Sequence, residues 1–152
     1  MAGLAVALLM AAGATFGDAT PAQAAGWTDC PSSATHVSGY VCLWENANYT
    51  GGRWQASKAT LSGGLSGGVS GCYNLTGSSY TNGHAVYDTA GSWAIRAAAS
   101  VYPKYSVIFY EWANCNSSGN SREYLADGDY AVSDLSTLTP NWNDTVASIR
   151  VI

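Results

Sequence analysis

The sequence predicts an all-β protein in which two Greek-key motifs form a single disulfide-stapled sandwich, and three observations carry that expectation. The stretch Trp44-Glu45-Asn46-Ala47-Asn48-Tyr49 returns as Tyr110-Glu111-Trp112-Ala113-Asn114-Cys115, with an aromatic, a Glu and an Ala-Asn pair at the same spacing. Charged residues make up only 11% of the 152 residues, against 17 Gly, 10 Tyr and 6 Trp, a composition suited to short strands joined by small polar turns. The 4 cysteines, Cys30, Cys42, Cys72 and Cys115, are an even number and default to two disulfides in an exported chain.

At the N-terminus, Leu4 to Ala12 is an apolar run too short to span a bilayer, and Ala22-Gln23-Ala24 offers the small-x-small pattern of a signal-peptidase site. Residues 1–24 are therefore expected to be a signal peptide and 25–152 one secreted domain. Among the three possible cysteine pairings, Cys30 with Cys42 is favoured because Pro31 to Gly39 reads as a loop, which leaves Cys72 with Cys115.

Tyr40-Val41-Cys42-Leu43 and Val107-Ile108-Phe109 read as the strands that enter the repeated turn, and Gly51-Gly52 permits the positive backbone dihedrals needed to fold back into a strand around Arg53-Trp54. Thr60-Leu61-Ser62 matches Asp134-Leu135-Ser136. Ala99-Ser100-Val101 and Ala147-Ser148-Ile149 are expected to return each motif to its sheet, which places the Greek keys at about 40–102 and 105–152. The Gly/Ser tract Ser62 to Gly71 reads as a mobile excursion, and Trp93 to Ala99 as the one candidate for a helical turn. Trp44, Trp54, Tyr110, Tyr124 and Trp142 are assigned to core and corner positions.

A net charge of −4 and the lack of a basic patch make nucleic acid and anionic membranes poor partners. Catalytic signatures are no better served. Gly64-Leu65-Ser66-Gly67-Gly68 matches G-x-S-x-G only within a Gly/Ser tract, His36 and His84 have no catalytic context, and Glu45 with Glu111 is a pair that the repeat itself explains. The chain is read as a non-enzyme that needs no cofactor, calcium apart.

Trp44, Tyr49 and Gly51 match the aromatic, four residues, aromatic, one residue, Gly signature of the βγ-crystallin Greek key, and Tyr110 opens a second copy with Cys115 and Ser117 at the other two places. Asn143-Asp144-Thr145-Val146-Ala147-Ser148 is similar to the second signature of that family in all but its fifth place, with Ile95 to Ser100 taken as its first-half counterpart. The chain resembles the βγ-crystallin family, and more narrowly the microbial peptidase inhibitors related to the Streptomyces metalloproteinase inhibitor. That resemblance implies a crystallin-like sandwich, a monomer, and reversible occlusion of an extracellular metalloprotease. The alternative is a non-inhibitory structural or calcium-binding module, with Glu45, Asp144 and Thr145 as the implied oxygen ligands. No inhibitory bond is assigned to a residue. By expected exposure, Ser70 to Thr76, anchored at Cys72, and Tyr80 to Ser92 are the candidate contact segments.

Overall fold

Strand character follows from alternation: along Thr50–Ser57, Gly52, Trp54 and Ala56 are buried while Gly51 and Gln55 face solvent. The computed structural model describes residues 26–32, 39–97, 105–126 and 128–152. The expected signal segment and Ala99-Ser100-Val101 lie outside the described residues. In chain order the strands are β1 (Tyr40–Asn46), β2 (Thr50–Ser57), β3 (Leu65–Ser66), β4 (Val69–Ser70), β5 (Cys72–Asn74), β6 (Ser92–Arg96), β7 (Tyr105–Tyr110), β8 (Ser121–Ala126), β9 (Tyr130–Val132) and β10 (Ser148–Val151). One short α-helix is present among the described residues, α1 (Lys58–Ser62), after β2.

Two antiparallel four-stranded sheets form the expected βγ-crystallin-like sandwich, ordered β2-β1-β6-β9 and β5-β10-β7-β8, with β3 and β4 as a separate hairpin. Each sheet takes three strands from one half of the chain and its fourth, at an edge, from the other. β9 closes the first sheet and β5 the second. The halves are interlocked, so neither completes its sheet alone.

Between the sheets, Trp93 of β6 stacks on Phe109 of β7 with ring centroids 4.1 Å apart and planes 2° from parallel. Trp142 and Tyr124 meet the Trp93 ring edge-on at 5.9 and 5.7 Å. Leu43, Ile95, Val107 and Ile149 fill the space around them. The outer faces carry smaller clusters: Cys30, Cys42, Trp44 and Ala94 on one sheet, and Cys72, Ile108, Tyr110 and Cys115 on the other. Covered on both faces, β1 and β6 read as continuous apolar runs in place of alternation. Both favoured disulfides are present, Cys30–Cys42 and Cys72–Cys115, one in each outer cluster.

Two local expectations are corrected. The helical turn expected at Trp93 to Ala99 is instead the central strand β6 through Arg96, because β1 and β9 pair with it from either side and outweigh the helix propensity of its alanines. Helix occurs at α1, where Ser57 caps the N-terminus by accepting a hydrogen bond from the Thr60 amide at 3.1 Å and Leu61 is buried. The Gly/Ser tract is an ordered hairpin: β3 and β4 pair across Gly67 and Gly68, whose φ values of 59° and 79° suit a tight two-residue turn.

The closed loops differ in length, with sequence separations of 12 and 43 residues. On the chain-entropy model, replacing Cys72 and Cys115 by Ser lowers unfolding free energy by about 4 kcal/mol, and replacing Cys30 and Cys42 by about 3 kcal/mol. Urea unfolding of the two double variants measures both. A larger loss for the Cys30–Cys42 pair would show that loop closure does not set the order.

Candidate functional site

Both repeated turns are built in the same way. After β1, Ala47–Tyr49 forms a 3-10 turn with Asn48 and Tyr49 at φ 57° and 58°; after β7, Ala113–Cys115 does so with Asn114 and Cys115 at φ 62° and 49°. A buried serine closes each turn. Ser92 Oγ accepts from the Tyr49 amide at 3.1 Å and donates to the Asn46 carbonyl at 2.7 Å. Ser148 Oγ accepts from the Cys115 amide at 3.0 Å and donates to the Trp112 carbonyl at 2.6 Å. In the first turn the Tyr49 ring packs edge-on against Trp44 at 5.2 Å. In the second, Cys115 stands in its place, and the bridge to Cys72 anchors the turn.

This correspondence moves one motif. The first-half counterpart of Asn143 to Ser148 is Tyr87 to Ser92, not Ile95 to Ser100, since Ile95 and Arg96 belong to β6. Asp88 and Asp144 share the left-handed backbone, at φ 55° and 56°. A signal was present in the sequence: Asp-Thr, two further residues and then Ser occurs at Asp88-Thr89 with Ser92 as it does at Asp144-Thr145 with Ser148.

Glu45 serves its own turn. Its Oε1 accepts from His84 Nδ1 at 2.6 Å, while Oε2 accepts from Asn82 Nδ2 at 2.7 Å and from the Gly52 amide at 3.3 Å. The His84 hydrogen bond, with those from Asn82 and Gly52, holds the Glu45 carboxyl below its ordinary value. Asp144 Oδ2 accepts from Asn143 Nδ2 at 2.6 Å, and Thr145 Oγ1 donates to the Trp142 carbonyl at 3.0 Å. At the fifth place of the signature, both halves lack a hydroxyl, having Gly91 and Ala147. Among the described residues no three His, Cys, Asp or Glu side chains converge as a cation site. Both carboxylate oxygens of Glu45 and Oδ2 of Asp144 thus accept hydrogen bonds from the protein itself.

Two concave features remain. A cleft of about 260 Å³ is lined by Tyr87, Asp88, Glu111, Trp112, Asp144 and Thr145, drawn from both halves. Asp88 Oδ1 is buried without a hydrogen-bond partner, and burial together with the charge of Glu111 raises the Asp88 pKa. Trp112, at the place of Asn46 in the first turn, is 48% exposed. Sequence reasoning missed Tyr87, Asp88 and Trp112 as neighbours because they join only across the interlocked halves.

The second feature is a groove of about 440 Å³ lined by Gly64, Leu65, Ser66, Cys72, Tyr73, Asn74 and Thr76. Above it stands the β3–β4 hairpin, with Leu65 72% exposed. Its base is closed by Gly71 N–H to Gly64 O at 2.9 Å and by Val151 N–H to Gly71 O at 3.0 Å. Ser70 to Thr76, expected to be a surface contact segment, has β5 at its centre, paired with β10, and Cys72 and Leu75 are fully buried. In Tyr80 to Ser92 only Thr81 to Ala85 is continuously exposed; Tyr80, Val86 and Ala90 belong to the core.

No family model matches the chain, and no curated protein does. Among solved structures, it is similar to one described under the evolution of the eye lens βγ-crystallin domain fold, with 21% identity, a TM-score of 0.49, and 80% of this chain and 93% of that one covered. It is also similar to the N-terminal domain of protein S, at 18% identity and TM-score 0.40, over 74% of this chain and 94% of that chain. A double mutant of a βγ-crystallin domain from Clostridium beijerinckii matches at 20% identity and TM-score 0.38, again over 74% and 94%.

The Glu45 clasp has a pH signature. Because its folded pKa lies below the unfolded value, its contribution to stability is complete above the usual 4.5 and is lost as pH falls through the folded value. Thermal unfolding of wild type and Glu45→Gln as a function of pH checks this: the melting-temperature gap is expected to be widest near neutral pH and to narrow in acid. A gap that grows as the pH drops would contradict it.

Proposed function

We propose that the protein is a peptidase inhibitor that reversibly occupies a metalloprotease active site through the Leu65–Ser70 hairpin and performs no chemistry of its own. The observation that supports this reading is an exposed apolar side chain, Leu65, presented on an ordered projection. The hairpin is held from three sides. Leu61 of α1 is buried before it and accepts the Gly64 amide at 3.0 Å, the Cys72–Cys115 bridge follows it, and its turn abuts Asn114 so closely that a Cβ on Gly67 would lie 2.6 Å from the Asn114 side chain. Asn114 is itself fixed by two bonds to Asn74, at 2.6 and 2.8 Å. An inhibitor gains affinity when little conformational entropy remains to be lost on binding. A large apolar side chain on such a segment is what a protease pocket selective for apolar residues accepts.

The test is residual activity of thermolysin-type, subtilisin-type and trypsin-type proteases incubated with protein lacking residues 1–24. Stoichiometric loss of the thermolysin-type activity is expected. Leu65→Ala should weaken inhibition at least about tenfold, since burying a Leu side chain is worth about 1.5–3 kcal/mol. Full activity of every enzyme at large molar excess of the protein would overturn the reading and leave a non-inhibitory extracellular module in its place.

A further inference from the structure

We propose that Asn82-Gly83 is a self-modification site: the pair closes to a cyclic imide and deamidates once the clasp around Glu45 opens, and the clasp is what keeps it unreacted. The site is separate from the Leu65 hairpin, and the inference does not rest on the inhibitory reading.

Of the nine asparagines in the sequence, Asn82 alone is followed by glycine. A glycine leaves its own backbone nitrogen unshielded, because no side chain stands beside it. The structure adds no shield at Gly83, whose φ is 87° and where a Cβ would meet nothing within 4 Å. Water is the only co-reactant needed. Gly83 N bonds to Asn82 Cγ, the Cγ–Nδ2 bond breaks, and Nδ2 leaves as ammonia with the proton that Gly83 N gives up. Water then opens the imide at one carbonyl or the other, which leaves aspartate or isoaspartate at position 82 with nothing oxidised or reduced.

In the folded protein each reacting group is held. The attacking nitrogen is engaged, since Gly83 N–H donates to the Tyr80 carbonyl at 2.9 Å. Asn82 Oδ1 accepts from the His84 amide at 3.2 Å, and Nδ2 donates to Glu45 Oε2 at 2.7 Å. Glu45 is fixed in turn by His84 Nδ1 and the Gly52 amide, at 2.6 and 3.3 Å. Gly52 also walls in the Asn82 side chain, because a Cβ on it would lie 2.6 Å from Asn82 Cγ. Attack requires Gly83 N to surrender its proton and the Asn82 amide to turn free. The rate therefore follows the fraction of molecules in which the bonds to Tyr80 and Glu45 are both open.

The product does not fit back into the clasp. A carboxylate replaces the amide that donates to Glu45 Oε2, which sets two acidic groups against one another. Isoaspartate also adds a methylene to the backbone of a turn closed by Gly83 N–H on the Tyr80 carbonyl and by Tyr80 N–H on the His84 carbonyl, each at 2.9 Å. This loop covers part of the outer edge of β2, which ends its sheet: Thr81 N–H donates to the Arg53 carbonyl at 3.0 Å, and Arg53 N–H to Thr81 Oγ1 at 3.1 Å. Deamidation is thus a one-way release of that strand edge.

Incubation of the purified protein at neutral and mildly alkaline pH, followed by peptide mapping by mass and enzymatic methylation of isoaspartate, tests this against Glu45→Ala, His84→Ala and the free peptide Tyr80 to Val86. Deamidation at Asn82 is expected to be slowest in the wild type and at least about tenfold faster in Glu45→Ala, as loss of hydrogen bonds to a charged group implies. His84→Ala, at a largely exposed side chain, carries the test if Glu45→Ala fails to fold. In Asn82→Asp, hydrogen exchange at the Arg53 and His84 amides is expected to quicken while the β6 amides keep their wild-type protection. A wild-type rate equal to that of the peptide, a rate unchanged in both clasp variants, other asparagines reacting ahead of Asn82 in those variants, or Arg53 exchange unchanged in Asn82→Asp would overturn the inference.

Discussion

One buried hydroxyl per half holds the architecture together. Ser92 and Ser148 each bridge an amide and a carbonyl of the turn in the same half, and in doing so fasten β6 to the turn after β1 and β10 to the turn after β7. The turns need such a fastening because each contains two consecutive non-glycine residues in the left-handed region, a conformation that costs free energy wherever it is not over-determined by its surroundings. The concave and clasped features of the surface are positioned by these turns: the cleft by the turn after β7, the Glu45 clasp by the turn after β1, and the hairpin tip by its seat on Asn114.

Around that shared clasp the two halves have diverged. An aromatic pair, Trp44 with Tyr49, steadies one turn, whereas a disulfide from Cys115 steadies the other. His84 fills the place beside Glu45, while the place beside Glu111 is open to a cleft. The second bridge also transmits order outward. By tying β5 to the second turn it fixes one end of a Gly-rich tract that would otherwise behave as a flexible chain. The exchange of β5 and β9 between sheets then makes both halves contribute to each surface, so the cleft is composite by construction.

Much of the fold was legible because repetition and aromatic spacing are local properties. The repeated turn, the strands that enter it, both cysteine pairings and the burial of Trp44, Trp54, Tyr110 and Trp142 could all be read from residues close together in the chain. The misassignments fell where local signals compete with pairing. Trp93-Ala94-Ile95 has helical composition yet lies between two strands, and Gly67-Gly68 reads as flexibility until both glycines are seen to meet the dihedral demand of a tight turn. In the first half two serines, Ser92 and Ser100, compete by sequence for the place of Ser148, and only the hydrogen bonds of Ser92 identify the counterpart.

By itself, then, the sequence determined that this is an all-β, twice-repeated, doubly bridged chain, because periodicity, turn chemistry and cysteine number are written within short windows. Tertiary structure decided which oxygens are engaged and which are free. Glu45 and Glu111 are indistinguishable in the repeat, and what separates them is whether a residue nearly forty positions away, His84, folds back onto the carboxylate. Chain proximity says nothing of that kind, and so the character of each candidate site emerged only when the two halves were packed together.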